Sequence, residues 1–311
     1  MFTSFYFGPL EQVFFLYFHN PVADPNGGVL LGGAQSTAKD LSGQHYDEVT
    51  LGYERQLQED FKLGVHGVYR TIREIIQDAP DPTTGIILPG NPGRGVLHFL
   101  PKPKREYTAL EITLEKIRGK NFNFMTSYVL SRNYGNFTGL YDSDLRISVP
   151  HSGSTYDRPE QFINGTGLLP NNRTHVFKFS GYYKLNSGLV AGTSFIWQTG
   201  TPLNEFGALA ADPFVYVFLR PRGTAGRTSS IWDLNFRLTY DFNRLAGSTA
   251  NAKLILDIFH PFSQRQPVNI EQKRYLAVDA NGNQVGENPN YLKPLLYQPP
   301  MTVRLGLEVG F

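Results

Sequence analysis

The last eleven residues, Met301 to Phe311, alternate between apolar and polar side chains almost without exception. Successive side chains of a β-strand point to opposite faces, so this alternation predicts a strand with one apolar face and one polar face. The stretch closes on an aromatic residue, Phe311, whereas the termini of soluble domains usually fray into polar residues. We therefore expect the final residue of this strand to have a function of its own.

Eight further segments of roughly nine to twelve residues show the same alternation. They are 46–57, 61–72, 105–116, 122–133, 174–185, 188–199, 231–242 and 252–260. Segment 231–242 alternates most regularly, and its polar positions, which we expect to face a water-filled lumen, include Asp233, Asn235, Arg237 and Asp241. Aromatic residues near strand ends, namely Trp197, Trp232, Tyr240 and Phe242, are typical of the girdles at membrane interfaces.

The connections between these segments alternate between short turns and long loops. The long loops are 73–104, 134–172, 200–230 and 261–300, and the alternation predicts no strand within them. Strands of about 9–11 residues, short turns on one side and long loops on the other are typical of an outer-membrane barrel. We therefore predict an all-β, antiparallel up-and-down transmembrane β-barrel with short periplasmic turns and long extracellular loops. A half-solvated antiparallel sheet in a soluble protein is the alternative.

Composition excludes several other classes of function. The sequence has no cysteine, which rules out disulfides and thiolate sites, and its net charge of +2 with no long basic run argues against nucleic-acid binding. We find no catalytic residue set, no cofactor site and no metal site, so we do not expect an enzyme. Residues 278–284 resemble the start of a calcium loop, but Gln284 stands where the sharp turn needs glycine, which favours a plain turn. Residues 141–144 are predicted to form an exposed acidic turn.

The N-terminal part of the sequence differs from the rest. Residues 1–20 are aromatic and apolar, yet the first lysine or arginine is Lys39, so the pattern of a secretory signal peptide is missing. Counting strand directions back from the terminal strand makes 1–45 a partial strand followed by an extracellular loop. Residues 46–311 would then be the C-terminal half of a barrel, and we expect the chain to be part of a longer protein.

The final residues resemble the β-signal of outer-membrane proteins, in which a polar residue, a glycine, a hydrophobic residue and a terminal aromatic residue follow at fixed spacing. Arg304, Gly306, Val309 and Phe311 occupy these positions. The resemblance implies that the barrel-assembly machinery reads this strand.

Residues 45 to 311 resemble the C-terminal barrel of TonB-dependent receptors, in particular the Oar-like group. Stretches that carry the resemblance include SYVLSRNYGNFTGLYDSD at 127–144 and PRGTAGRTSSIWDLNFRLTYDF at 221–242. The resemblance implies a receptor in the bacterial outer membrane, surrounded by its lipid, that takes up a ligand with energy delivered by TonB.

This sequence departs from that family in two respects. It lacks the N-terminal plug through which TonB acts, and it contains nine or ten strands where such transporters have 22. TonB could therefore act on it only through a plug supplied elsewhere, and the sequence does not identify the ligand. A small porin-like passive channel and a soluble β-rich adhesin or binding module are the competing hypotheses.

Overall fold

A computed structural model describes residues 38–83, 87–139, 141–146, 156, 158–185, 188–242 and 251–310. The predicted partial strand at 1–20 and the terminal Phe311 lie outside the described residues, as do residues 186–187 and 243–250, where short turns are predicted.

One large antiparallel sheet contains nine long strands, and each predicted segment corresponds to one of them. They are β1 (His45–Gln58), β2 (Phe61–Arg73), β5 (Arg105–Lys116), β6 (Phe122–Gly135), β8 (His175–Lys184), β9 (Leu189–Gln198), β12 (Ile231–Asp241), β13 (Asn251–Phe259) and β18 (Thr302–Gly310). A tenth strand, the two-residue β7 (Gly167–Leu168), pairs with the end of β6. The all-β, antiparallel fold class is thereby confirmed.

The long strands neighbour one another in sequence order, from β1 at one edge to β18 at the other. This is the up-and-down arrangement that the alternating connections predict. Within the described part of the chain, β1 pairs only with β2 and β18 only with β13, so these residues form an open sheet.

The strand register aligns a mostly apolar face and a mostly polar face across all nine strands. We call these the apolar face and the polar face. Exceptions include Ile196 and Ile255 on the polar face and Thr126 on the apolar face. The apolar face carries Leu51, Val65, Leu110, Leu130, Phe177, Phe195, Leu234, Leu256 and Leu305. The polar face carries Glu48, Arg70, Glu111, Ser127, Lys178, Ser194, Arg237, Asp257 and Arg304.

Large side chains of the apolar face are so exposed that their contact with water would be unfavourable. Leu51 is 76% exposed, Leu305 70% and Leu307 69%. Contiguous exposed apolar surface of this kind marks a surface that meets another apolar phase. Lipid hydrocarbon meets that requirement in an outer-membrane barrel.

Four aromatic residues form a row across adjacent strands of the apolar face. Tyr128 lies opposite Phe177, Phe177 opposite Trp197, and Trp197 opposite Trp232. Phe177, Trp197 and Trp232 lie near the strand ends where the long loops begin, whereas Tyr128 lies midway along β6. The ring centroids of Tyr240 and Phe242 lie 5.0 Å apart near the other end of β12. The expected position of aromatic residues at the strand ends is thus observed, in the pattern of interface girdles.

The long loops contain strands of their own, which the alternation does not predict. They are β3 (Gln77–Pro80), β4 (Ile87–Gly90), β10 (Phe206–Leu209), β11 (Asp212–Phe218), β14 (Pro267–Ile270), β15 (Lys273–Val278), β16 (Gln284–Glu287) and β17 (Pro294–Tyr297). Strands β10, β11, β15 and β16 form a four-stranded sheet that joins loop 200–230 to loop 261–300. Buried apolar residues also cluster in or beside the loops: Ala79, Leu97, Leu100 and Tyr156 in one group, and Ile72, Ile75 and Phe137 in another.

Helical structure in the described residues is limited to two short 3-10 helices, Gly95–Leu97 and Pro159–Phe162. Neither of these helices has the length and apolar character to cross a membrane.

Candidate functional site

Three charged side chains from three adjacent strands meet on the polar face. Register places Arg237 of β12 opposite Asp257 of β13, and Asp257 opposite Arg304 of β18. The Asp257 carboxylate accepts hydrogen bonds from Arg237 Nε at 2.6 Å and from Arg304 Nη2 at 2.6 Å. Asp257 is only 2% exposed, because both guanidinium groups lie against it. The predicted lumen residue Arg237 and the predicted assembly residue Arg304 therefore share one partner.

The other predicted lumen residues of β12 organise the end of β13. Asp233 Oδ1 lies 2.6 Å from His260 Nδ1, and Asn235 Oδ1 accepts a hydrogen bond from the His260 backbone N–H at 3.1 Å. Asn235 Nδ2 donates to Asp233 Oδ2 at 2.8 Å, which joins the two side chains. Asp241 lies further along the same face, opposite Lys253. All four residues are on the polar face. That this face borders a water-filled lumen remains a prediction.

The predicted assembly residues lie in β18 or next to it. Arg304 and Gly306 are on the polar face, Val309 is on the apolar face and 45% exposed, and Phe311 is outside the described residues. A Cβ placed on Gly306 would lie 3.8 Å from Ile255 Cβ, an ordinary contact distance. Packing against β13 therefore does not require glycine at this position, and the assembly role of these four residues remains a prediction.

A pocket of about 230 Å³ lies among three of the long loops. Its lining includes Asp144, Asn171, Arg173, Thr228 and Gln272. The Asp144 carboxylate accepts hydrogen bonds from Gln272 Nε2 at 2.9 Å and from Asn204 Nδ2. Residues separated by 60 and 128 positions in sequence are thereby brought together.

The expectation of an exposed acidic turn at 141–144 is wrong. Asp142 is only 7% exposed, and its Oδ1 accepts hydrogen bonds from the backbone N–H groups of Asp144 and Leu145 at 3.0 and 3.2 Å. The turn is held inward because side chains from two other long loops bond to Asp144. The residues next to Asp144 in sequence give no indication of these contacts, because the partners are far away along the chain.

Burial changes the acidity of this cluster. Loss of water contact raises the pKa of Asp144 to about 7, and the nearby charge of Asp142 adds to the rise, while hydrogen bonds from Gln272 and Asn204 oppose it. The buried Arg222 guanidinium lies over the Phe218 ring at 4.5 Å, and burial lowers the pKa of Arg222. The carboxyl of Asp144 therefore titrates near neutral pH.

The plain turn predicted at 278–284 is observed between β15 and β16. Asp279 Oδ1 accepts hydrogen bonds from the backbone N–H groups of Asn281 and Asn283 at 2.9 and 2.8 Å, so the turn itself occupies the carboxylate. In the described parts of the chain, no group of three histidine, aspartate or glutamate side chains could hold a metal ion.

Sequence reasoning missed two sets of residues. The alternation predicts only that Asp257 lies on the polar face, because its partners depend on the register between strands. His260 lies just beyond β13, and the alternation does not predict its contact with Asp233. Asn204 and Gln272 have no local signal at all, since both act through contacts between loops.

The sequence was compared with family models and with known proteins. No family model matches the sequence. The chain is 28% identical to the TonB-dependent transporter Oar of Myxococcus xanthus over 310 residues, which cover 90% of this chain and 29% of that protein. The chain therefore spans less than a third of the length of this relative.

Solved structures share the fold. The outer-membrane transporter YddB from Escherichia coli matches with a TM-score of 0.54 and 14% identity, covering 88% of this chain and 33% of that one. The FrpB iron transporter from Neisseria meningitidis matches with a TM-score of 0.50 and 11% identity, covering 88% of this chain and 32% of that one. YddB is an outer-membrane transporter, and its fold agrees with the exposed apolar face described above. In sequence the chain is therefore similar to part of a TonB-dependent transporter, and in fold to part of an outer-membrane transporter.

Proposed function

We propose that this chain is the C-terminal barrel segment of a TonB-dependent receptor that takes up a ligand with energy from TonB. The observation that carries the proposal is the alignment with the Oar transporter along 90% of the chain. The open sheet that the described residues form supports it, because a segment of a larger barrel needs further strands at both edges.

Each part of the chain has a role in this proposal. The apolar face contacts outer-membrane lipid, and the polar face borders the interior of the barrel. The long loops, with their pocket at Asp144, receive the ligand from outside. The barrel-assembly machinery recognises β18 through Arg304, Gly306, Val309 and Phe311. TonB acts on a plug supplied by another part of the complete protein.

Two measurements on the complete gene product test the proposal. Purified in detergent, it should bind the isolated periplasmic domain of TonB, whereas the 311-residue chain alone should not. Reconstituted in liposomes, the complete protein should not allow swelling in arabinose, because a plugged receptor is closed to small sugars. Failure of the complete protein to bind TonB would overturn the proposal. Rapid swelling with the 311-residue chain alone would instead favour the small porin-like channel.

The competing soluble adhesin or binding module has a separate test. Cells that express the protein are lysed, and membranes are separated and washed with carbonate. The apolar face predicts that the protein stays in the membrane pellet until detergent is added. Recovery in the soluble fraction would contradict both membrane hypotheses.

A further inference from the structure

A second cavity, of about 360 Å³, lies on the polar face at the end of the sheet where the long loops begin. Strands β1, β2, β5 and β6 and the segment before β8 form its wall. Its lining includes Arg70, Arg105, Arg173, Glu111, Asn133 and Tyr107. Asn171 and Arg173 also line the loop pocket, so the two cavities adjoin.

Within the described residues, two of the three arginines have no acidic partner. Arg105 Nη1 donates to the backbone oxygen of Thr138, and Arg173 Nη1 donates to that of Thr199 at 2.6 Å. Neither forms an ion pair with a carboxylate in the described part of the chain. Arg70 differs, because its Nε donates to Glu48 on the neighbouring strand. Each of the two unpaired guanidinium groups keeps further N–H donors for a ligand.

Both unpaired arginines are partly buried, which makes their charge unfavourable without a counterion. Loss of water contact lowers the pKa of Arg173, in agreement with this position. Two guanidinium forks beside a cavity form an arrangement that matches the paired oxygens of a carboxylate or phosphate.

Asn133 adds an acceptor to these donors. It is only 7% exposed, and its Nδ2 donates to Asn171 Oδ1 at 2.7 Å, while its backbone N–H donates to Asn172 Oδ1 at 2.7 Å. Its Oδ1 is buried and has no hydrogen-bond partner among the described residues. A buried amide oxygen without a partner is unfavourable, and a ligand N–H or O–H would satisfy it.

We propose that this cavity binds a small oxyanion, a carboxylate or phosphate, that carries a hydrogen-bond donor next to its charged group. Arg105 and Arg173 hold the oxyanion, and Asn133 accepts the donor. The direction of entry, from the side of the long loops, rests on the proposed receptor function. Glu111, an acid in the lining that forms no ion pair within the described residues, opposes the ligand charge.

Calorimetric titration of the complete protein in non-ionic detergent tests this site. The probes are inorganic phosphate, N-acetylglycine, which has a carboxylate beside an N–H group, and the amide of N-acetylglycine, which has lost the charge. Phosphate or N-acetylglycine should bind and the amide should not. Comparison of the two anions identifies which oxyanion the site prefers.

Variants locate the binding. Arg173→Gln and Arg105→Gln should each weaken binding by about tenfold or more, since each removes charged hydrogen bonds. Arg227→Gln is the matched control: Arg227 is exposed, donates to the Gly200 backbone oxygen at 2.8 Å and lies outside the cavity lining, so affinity should not change. Glu111→Gln should tighten binding, a result that a misfolded variant would not give.

Three results would overturn the proposal: binding of neither anion, equal binding of the neutral amide, or the same affinity for the arginine variants as for Arg227→Gln. The measurement needs neither TonB nor a membrane. Failure here therefore leaves the receptor function open to its own tests, and failure of TonB binding leaves this anion site intact.

Discussion

Asp257 is the residue through which the terminal strand is tied to the rest of the sheet. Its carboxylate joins Arg237 of β12 and Arg304 of β18, two strands away from each other. A shift of β18 by one residue would turn Arg304 to the apolar face, because strand side chains alternate. The triad therefore selects one register for β18.

We predict that Asp257 and Arg304 are energetically coupled. Both arginines are more than half exposed, so water screens the interaction, and we expect a coupling free energy of about 1 kcal/mol from the Asp257→Ala and Arg304→Ala cycle. Urea unfolding of the complete protein in detergent measures it. The pair of Lys253 and Glu308, on the same two strands, is the exposed control and should couple less. Equal coupling in the two cycles would contradict a special role for the triad.

Asp144 should make the loop pocket sensitive to pH. The folded pKa of about 7 lies above the ordinary value of 3.8, so the folded state binds the proton more tightly than the unfolded state between these values. Stability of the loop cluster should therefore fall as pH rises from about 4 to about 7. Limited proteolysis of the loops at pH 5 and pH 8 should show faster cleavage at pH 8. The variant Asp144→Asn should lose most of this difference, and a difference that persists would rule out Asp144 as its source.

At the scale of single elements, β18 combines structural and assembly roles that substitutions can separate. Gly306 has room for a methyl group against β13, so Gly306→Ala should leave the stability of the assembled protein nearly unchanged. If the assembly machinery reads the glycine, the same variant lowers the amount of protein that reaches the outer membrane.

We predict that Phe311→Ala, or deletion of Phe311, also lowers the outer-membrane level of the complete protein. Immunoblots of isolated outer membranes, normalised to a second barrel protein, provide the measurement. Thr302→Ala, at the other end of β18 and outside the motif, is the control. Unchanged levels in the Phe311 variants would reject the assembly role of the terminal aromatic residue.

The long strands could be predicted well from sequence, and the loop structure could not. The predicted strand 231–242 corresponds to β12 at Ile231–Asp241. It could be predicted because apolar and polar residues alternate in the sequence of a strand that has one apolar and one polar face. Strands β14 and β17, four residues each, pair across a loop and have no such period. The environment of Asp144 was mispredicted for the same reason, since Asn204 and Gln272 approach it only in the folded chain.

At the scale of the whole molecule, the two free edges of the sheet are the main feature. The outer edges of β1 and β18 have no neighbour within the described residues, and exposed strand edges pair readily with other strands. In a closed barrel these edges would be satisfied by further strands.

Heat-modifiable gel migration should distinguish the complete protein from this chain alone. A closed barrel resists detergent denaturation and migrates differently before and after boiling, so the complete protein should show two positions. The 311-residue chain should show one position, because an incomplete sheet does not close. Two positions for the chain alone would mean that it closes by itself, which would contradict the segment proposal and favour the porin-like channel.

If the proposed receptor function holds, the small sheet formed by β10, β11, β15 and β16 has a consequence for ligand recognition by the loops. Loops without internal structure would lose conformational freedom when a ligand binds, and affinity would fall accordingly. Here the loops are tied together by strand pairing and by small apolar clusters during folding. The loops therefore lose their conformational entropy during folding, before any ligand binds. Less of the free energy gained from ligand contacts is then offset by ordering of the loops, and affinity is higher.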